Sequence, residues 1–409
     1  MLNKIWVFLL VSICFATIIQ AQNSTTIEPV LNPDLELLQK IKDLPDNTWM
    51  KLPPLKITGE LGTLSSDKDY LWSGPRVRDY CNKMVWAPNR KRALYTGGGH
   101  NTHPQNDVWE FDLASNTWVC LYGADKVPPR FTAEKEADGI AWYKENSVFK
   151  NGVITSPRGA PLRPCHTWWA ITYDSHRNQL LFIESHKGFF STDKSLLAKT
   201  HNLEITSPIL KGYGSGPGEC WLFTFDPQKK EWVDVQTNIP KSRESSNLEF
   251  LEENKELFWV SGKTYFKKEN KNEWAVLPKS GFGGGGMTAY DPYLKKMVGI
   301  VGNETWAFDM ATKEWQLLIK ESPVGSVVPS GTFCFDTKAK KFILYTHWKA
   351  KPDSDGTPQL WVFDLKEQKW EKPEGETPKI GNIAGYYDVD RNVTVIYHTK
   401  ETWVYRHKN

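Results

Sequence analysis

Three side chains able to move protons or hold an anion, Tyr80, His166 and Arg243, stand at matching places in three stretches of this sequence. Histidine exchanges protons near neutral pH, and tyrosine can act as acid or base when its pKa is lowered. Arginine grips a carboxylate through two parallel hydrogen bonds. His100 and His186 stand at a second matched position. Such a set could neutralise a carboxylate, remove the neighbouring carbon-bound proton and protonate a departing oxygen. That is β-elimination from a uronic-acid polysaccharide.

The matching rests on an internal repeat, the strongest signal in the chain. "DVWEFDLASNTWVCL", "CWLFTFDPQKKEWVDV", "TYFKKENKNEWAVL", "TWAFDMATKEWQLL" and "LWVFDLKEQKWEKP" share one pattern of aromatic strand, polar turn and Trp-led strand. Their Trp residues are Trp118, Trp232, Trp274, Trp315 and Trp370. Alternation around a tight turn reads as an antiparallel hairpin. Upstream of each lies a second hairpin, as in "AYDPYLKKMVGIVG" and "CFDTKAKKFILYT", so the unit is four strands, a to d. A lone last strand, "DNTWMKL" with Trp49, stands near the N-terminus, and its missing partner, "ETWVYRH", ends the chain. Pairing the two closes a ring without an open sheet edge.

The pattern resembles the kelch-type β-propeller over almost the whole chain after its first segment. An all-β ring of six blades is expected, with seven as the alternative because Trp118 and Trp232 are 114 residues apart. The excess between them divides into insertions at 121–163 and 187–219, both between strands that open on one face. "GIAWYKENSVF" in the first reads as a candidate short hairpin. The expected domains are a propeller over 45–409 preceded by a linker over 22–44.

Superposing the blades on their a–b turns makes Ala87, Tyr173, Phe250, Tyr290, Phe335 and Tyr387 equivalent. Seven residues earlier, where strand a begins on the loop-bearing face, stand Tyr80, His166, Arg243, Gly283, Val328 and Ile380. Thirteen residues later, where strand b ends on the same face, stand His100, His186, Lys263, Asn303, Trp348 and Lys400. His103, His347 and His398 fall beside these positions, so six of the nine histidines crowd one face. Long loops on a rigid ring are where binding sites usually lie. The candidate catalytic residues are therefore His166, His186, Tyr80, Arg243 and His100. Arg78, His103, Tyr213, Lys263, Asn303, Trp348 and His398 are the candidate substrate-binding residues.

The chain also loosely resembles secreted propeller lyases of uronic-acid polysaccharides, including ulvan lyases. The likeness lies in the His166–His186 pair, about twenty residues apart within one blade. The resemblance implies a His166 or His186 base or carboxylate partner, a Tyr80 or Tyr213 acid and an Arg243 clamp. Two alternatives stand beside it. One is a noncatalytic glycan-binding ring, with Trp168, Trp169, Phe189, Phe190 and Trp348 as stacking surfaces. The other is a copper oxidase of the galactose oxidase type, for which Cys81 beside Tyr80 and Cys165 beside His166 are suggestive.

The lyase chemistry requires no cofactor. A calcium, zinc or copper ion is the metal alternative, with His100, His103, His166 and His186 as imidazole donors. The formal net charge of +3 is too small to argue for nucleic acid, so the expected partner is an acidic polysaccharide or oligosaccharide bound by a monomer. Lys4, the apolar run 5–19 and Ala21 read as a cleaved secretory signal over 1–21, which implies secreted or periplasmic placement. No later stretch is apolar enough for a membrane span. Five cysteines remain after the signal, an odd number that rules out a fully paired intrachain framework.

Overall fold

The computed structural model describes residues 31–59, 74–78, 80–99, 105–127, 129–184, 186–187, 191–211, 213, 219–237, 239–240, 246–269, 271–277, 281–283, 285–324, 331–346, 358–381, 383–399 and 401–408, with residues 165, 186, 187 and 191 described by backbone alone. These form a six-bladed β-propeller of small antiparallel sheets.

Local chemistry builds each hairpin. Asp309 accepts N–H bonds from Ala311 and Thr312, and Lys313 closes the turn at a φ of 61°. Asp226, Asp291, Asp336 and Asp364 cap their turns in the same way. An Asp carboxylate offers the backbone this turn. The left-handed residue that follows returns the chain in register with the twisted strands.

The repeated Trp then joins blade to blade. Trp315 Nε1 donates to Thr264 Oγ1 of the preceding blade at 2.8 Å, and Trp370 Nε1 to Thr305 Oγ1 at 3.0 Å. The Trp118 ring lies 4.8 Å from Tyr397. Truncating a buried indole of this kind costs about 3–5 kcal/mol.

Ring closure follows the split repeat. Thr48–Lys51 pairs antiparallel with Glu401–Arg406, Trp49 opposite Tyr405, completing the sheet that also holds Ala384–Asp388 and Val393–His398. The stretch expected as a linker is, from residue 31 on, a packed element. Leu35–Lys42 is a helix capped by Asp34, which accepts the Leu37 N–H at 3.0 Å. Leu37 and Ile41, one turn apart, bury into the propeller, and the Arg406 guanidinium donates to the Ile41 and Lys42 carbonyls. Lys56–Gly59 adds a fifth strand to the first blade, parallel to Thr117–Tyr122.

The insertions fold onto each other. "GIAWYKENSVF" is not one hairpin: it lies mostly in the helix Glu136–Asn146, and its end begins the hairpin of Val148–Lys150 and Val153–Thr155. The reason lies outside the segment. Gly139 abuts Leu196 of the helix Ser191–His201 in the second insertion, where a Cβ would lie 2.8 Å from Leu196 Cδ1. Lys199 pairs with Glu136 at 2.5 Å, Ser147 Oγ meets His201 Nε2 at 2.9 Å, and a buried Arg163–Asp193 pair at 2.8 Å ties the base together. His201, which burial pulls below its ordinary pKa, is thus part of this cap. No helix among the described residues is long and apolar enough to cross a membrane.

Candidate functional site

The structure brings Tyr80 and His166 together. Each stands five residues ahead of its strand a, Val85–Ala87 in blade 1 and Ile171–Asp174 in blade 2. Their ring centroids are 5.0 Å apart, and Trp168 completes the cluster at 4.5 Å from Tyr80 and 6.1 Å from His166. All three have positive φ: 61°, 46° and 52°. The other non-glycine residues with positive φ are Asn, Lys or Gln, nearly all in turns. A bulky residue held there stores about 1–3 kcal/mol of strain. Such strain persists only where surrounding bonds over-determine the backbone.

Those bonds come from the triple glycine. Gly99 O accepts the His166 N–H at 3.2 Å, Gly98 O accepts the Thr167 N–H at 3.0 Å, and Thr167 Oγ1 accepts the Gly98 N–H at 2.7 Å. Tyr80 O accepts the Trp168 N–H at 2.5 Å. Gly97, at a φ of 105°, lies so near Thr167 that a Cβ would come within 2.7 Å of Thr167 Cγ2 and closer still to Oγ1. The end of strand b in blade 1 is thereby stitched to the approach of strand a in blade 2. His186 joins through its backbone, which pairs with Cys165 next to His166.

The other expected residues are placed as follows. Arg78 is fully buried: its guanidinium pairs with Asp107 at 2.5 Å and donates to Gly97 O, so it braces the wall behind the glycines instead of facing a ligand. Tyr213 is 4% exposed and packs near Trp221 in the core beneath the cap. Lys263 and Asn303 are exposed at the b–c corners of blades 3 and 4, and His398 is half-buried at that corner of the closing blade, across the strand pair from Glu401. Nothing in the described geometry gathers these three with Tyr80. His100, His103, Arg243 and Trp348 lie outside the described residues, as do Phe189 and Phe190. Trp169 is core, 2% exposed among Met287 and Phe333.

Below Tyr80 and His166, a charged pair that sequence reasoning missed crosses the axis. Lys83 Nζ, beside blade 1, bonds Glu249 Oε1 of blade 3 at 2.7 Å and Leu248 O at 2.7 Å, and lies 5.8 Å from the Trp169 ring. Thr288 of blade 4 donates to the same carboxylate at 3.3 Å. Burial pulls the Lys83 ammonium below its ordinary pKa and pushes Glu249 above the usual carboxylate range. Together they end an axial cavity of about 290 Å³ that strand a of every blade lines, with Trp86, Tyr173, Glu249, Ala289, Phe333 and Tyr386 one from each. A charge inside an otherwise apolar strand, as in "NLEFL", was the available signal. Glu184, 2% exposed at the end of strand b in blade 2, carries the same signal in "QLLFIE".

Cys81, Tyr80's neighbour, donates its thiol to Thr96 O at 3.1 Å, and burial pushes it up to about 11. Cys81 and Cys334 are free thiols. Among the described residues no three His, Cys, Asp or Glu side chains are grouped to hold a metal. Comparison with family models finds no match to this chain, and comparison with curated proteins finds none either.

Proposed function

We propose that this is a secreted kelch-type propeller that cleaves a uronic-acid polysaccharide by β-elimination at the Tyr80–His166 cluster. The observation that carries the reading is the meeting of a tyrosine and a histidine from adjacent blades, both in strained backbone, on the face that also bears the cap. In the proposed reaction His166 or His186 removes the C5 proton of the uronate, the C5 electron pair forms the C4–C5 double bond, and the C4–oxygen bond breaks. Tyr80 protonates the departing oxygen. Between the two tyrosines considered for this role, the burial of Tyr213 beneath the cap favours Tyr80. Arg243 remains the proposed carboxylate clamp, and the leader over 1–21 the proposed export signal.

The test is absorbance near 235 nm on mixing the protein with uronic polysaccharides, since the new double bond conjugates with the carboxylate. A rise that His166→Ala and Tyr80→Phe each reduce by about 100-fold or more supports the assignment. A flat trace with every uronic polysaccharide overturns it. Trp168, half-exposed beside Tyr80, favours a second reading, a noncatalytic glycan binder, which a flat trace combined with measurable glycan affinity would identify.

A further inference from the structure

The repeat breaks in one blade, and the break opens a cleft. In blades 1, 2, 4 and 5 the strand-c Phe pairs with the strand-d Trp, as Phe111 with Trp118, Phe225 with Trp232, Phe308 with Trp315 and Phe363 with Trp370. In blade 3, Phe266 pairs with Ala275, so Trp274 falls one residue out of register. A slip of one residue turns a strand's side chains to the opposite face. Strand d there is only Ala275–Val276, and the Trp274 ring lies 5.3 Å from Trp259 of its own blade. At the boundary with blade 2 there is instead a cleft of about 990 Å³, floored by Leu181, Leu222 and Leu257.

A second departure arms this cleft. The residue after the strand-c Phe is Asp112, Asp226, Asp309 or Asp364 in those four blades, but Lys267 in blade 3. Lys267 lines the cleft, is 7% exposed, and has no hydrogen-bond or ion-pair partner among the described residues. An ammonium buried without an acceptor is costly. The nearby acids are engaged or set outward. Asp174 accepts the N–H groups of His176 and Arg177, Glu269 is held by Arg177 at 3.0 Å, and Asp234 and Glu273 are exposed. Arg177 brings a second positive charge to the same cleft.

From this geometry we infer that the blade 2–3 cleft is a second ligand site, which takes an acidic sugar by its carboxylate or sulfate on Lys267, with the ring against Trp274. The site lies apart from Tyr80 and His166 and does not rest on the catalytic reading. Burial, and after it Arg177, pull the Lys267 ammonium below its ordinary pKa, against the smaller opposing pull of Asp174, Asp234 and Glu269.

Calorimetric titration of the full protein with a galacturonate trisaccharide, its methyl ester and a sulfated trisaccharide tests this. Binding of an anionic probe, absent for the ester and about tenfold or more weaker in Lys267→Asp and Lys267→Gln, supports the site. Lys267→Asp restores the residue of blades 1, 2, 4 and 5 and should melt no lower than the parent, and if it melts lower, Lys267→Gln is the deciding variant. Retention of that binding in His166→Ala, and of the 235 nm signal in Lys267→Asp, separates this site from the proposed catalytic one. No binding by either anionic probe, equal binding of the ester, or unchanged affinity in both Lys267 variants overturns the proposal. Acetate or sulfate binding as tightly as the trisaccharides overturns the sugar assignment.

Discussion

Replacing Gly97 by Ala tests whether the triple glycine exists to seat His166. A φ of 105° is open to glycine and strained for any other residue, a cost of about 1–3 kcal/mol. The new Cβ would also lie 2.7 Å from Thr167 Cγ2, and overpacking of this kind adds about 1–3 kcal/mol. Thr167 cannot yield freely, because its N–H is held by Gly98 O and its Oγ1 accepts from Gly98. The expected loss is about 2–6 kcal/mol, or about 3–8 °C in Tm for a domain this large. Thermal and urea unfolding of Gly97→Ala, Thr167→Ala and the double variant measure it. Thr167→Ala alone should cost about 1–3 kcal/mol for the stranded Gly98 N–H. In the double variant the contacts with Oγ1 and Cγ2 are gone and only the 2.9 Å approach to the residue-167 Cβ remains, so the combined loss should fall short of the sum by about 1–2 kcal/mol. A Gly97→Ala protein within 1 °C of the parent, or strict additivity in the double variant, would refute the close-approach account.

Two further outcomes follow from the buried charges. Arg78→Met should destabilise by about 3–5 kcal/mol in urea unfolding, because it removes the cation that balances the buried Asp107 carboxylate behind Gly97, to which Trp109 Nε1 also donates. Asp388 is raised to about 6, chiefly by burial, although Arg391 lies 3.0 Å away. A carboxyl whose folded pKa exceeds its unfolded value holds its proton more tightly when folded. Stability should therefore fall by about 3 kcal/mol as pH rises from about 4 to about 6, and Asp388→Asn should flatten that segment of the pH profile relative to the parent.

The strands and the ring closure could be read directly from the sequence because each depends on near neighbours. The Phe-Asp turn, the left-handed Lys or Asn and the strand-d Trp lie within a few residues of one another, and alternation exposes the buried face of every strand. Trp49 and "ETWVYRH" could be matched across the whole chain because both are copies of the same local pattern. Superposing blades also placed Tyr80 and His166 at equivalent corners. The packing of helix against helix in the cap was not legible in this way, since most of "GIAWYKENSVF" becomes helical against Leu196, a partner in another insertion. Arg78 looked like a ligand contact for a related reason: its charge is visible in sequence, whereas Asp107, which buries it, lies 29 residues on. The eight-residue spacing from Phe266 to Trp274, against seven elsewhere, and the Lys in place of Asp were visible all along, but only the cleft gave them meaning.

By itself, then, the sequence determined an all-β ring of repeated hairpins, sealed by its own two ends, because hydrogen-bonded turns and period-two burial are local properties. Tertiary structure decided that the rings of Tyr80 and His166 stand 5.0 Å apart, that Lys83 meets Glu249 across the axis, and that a cleft opens between blades 2 and 3. These are distances between residues far apart in the chain. They depend on how closely one blade can approach the next, which glycine at 97 permits and Trp274, out of register, prevents.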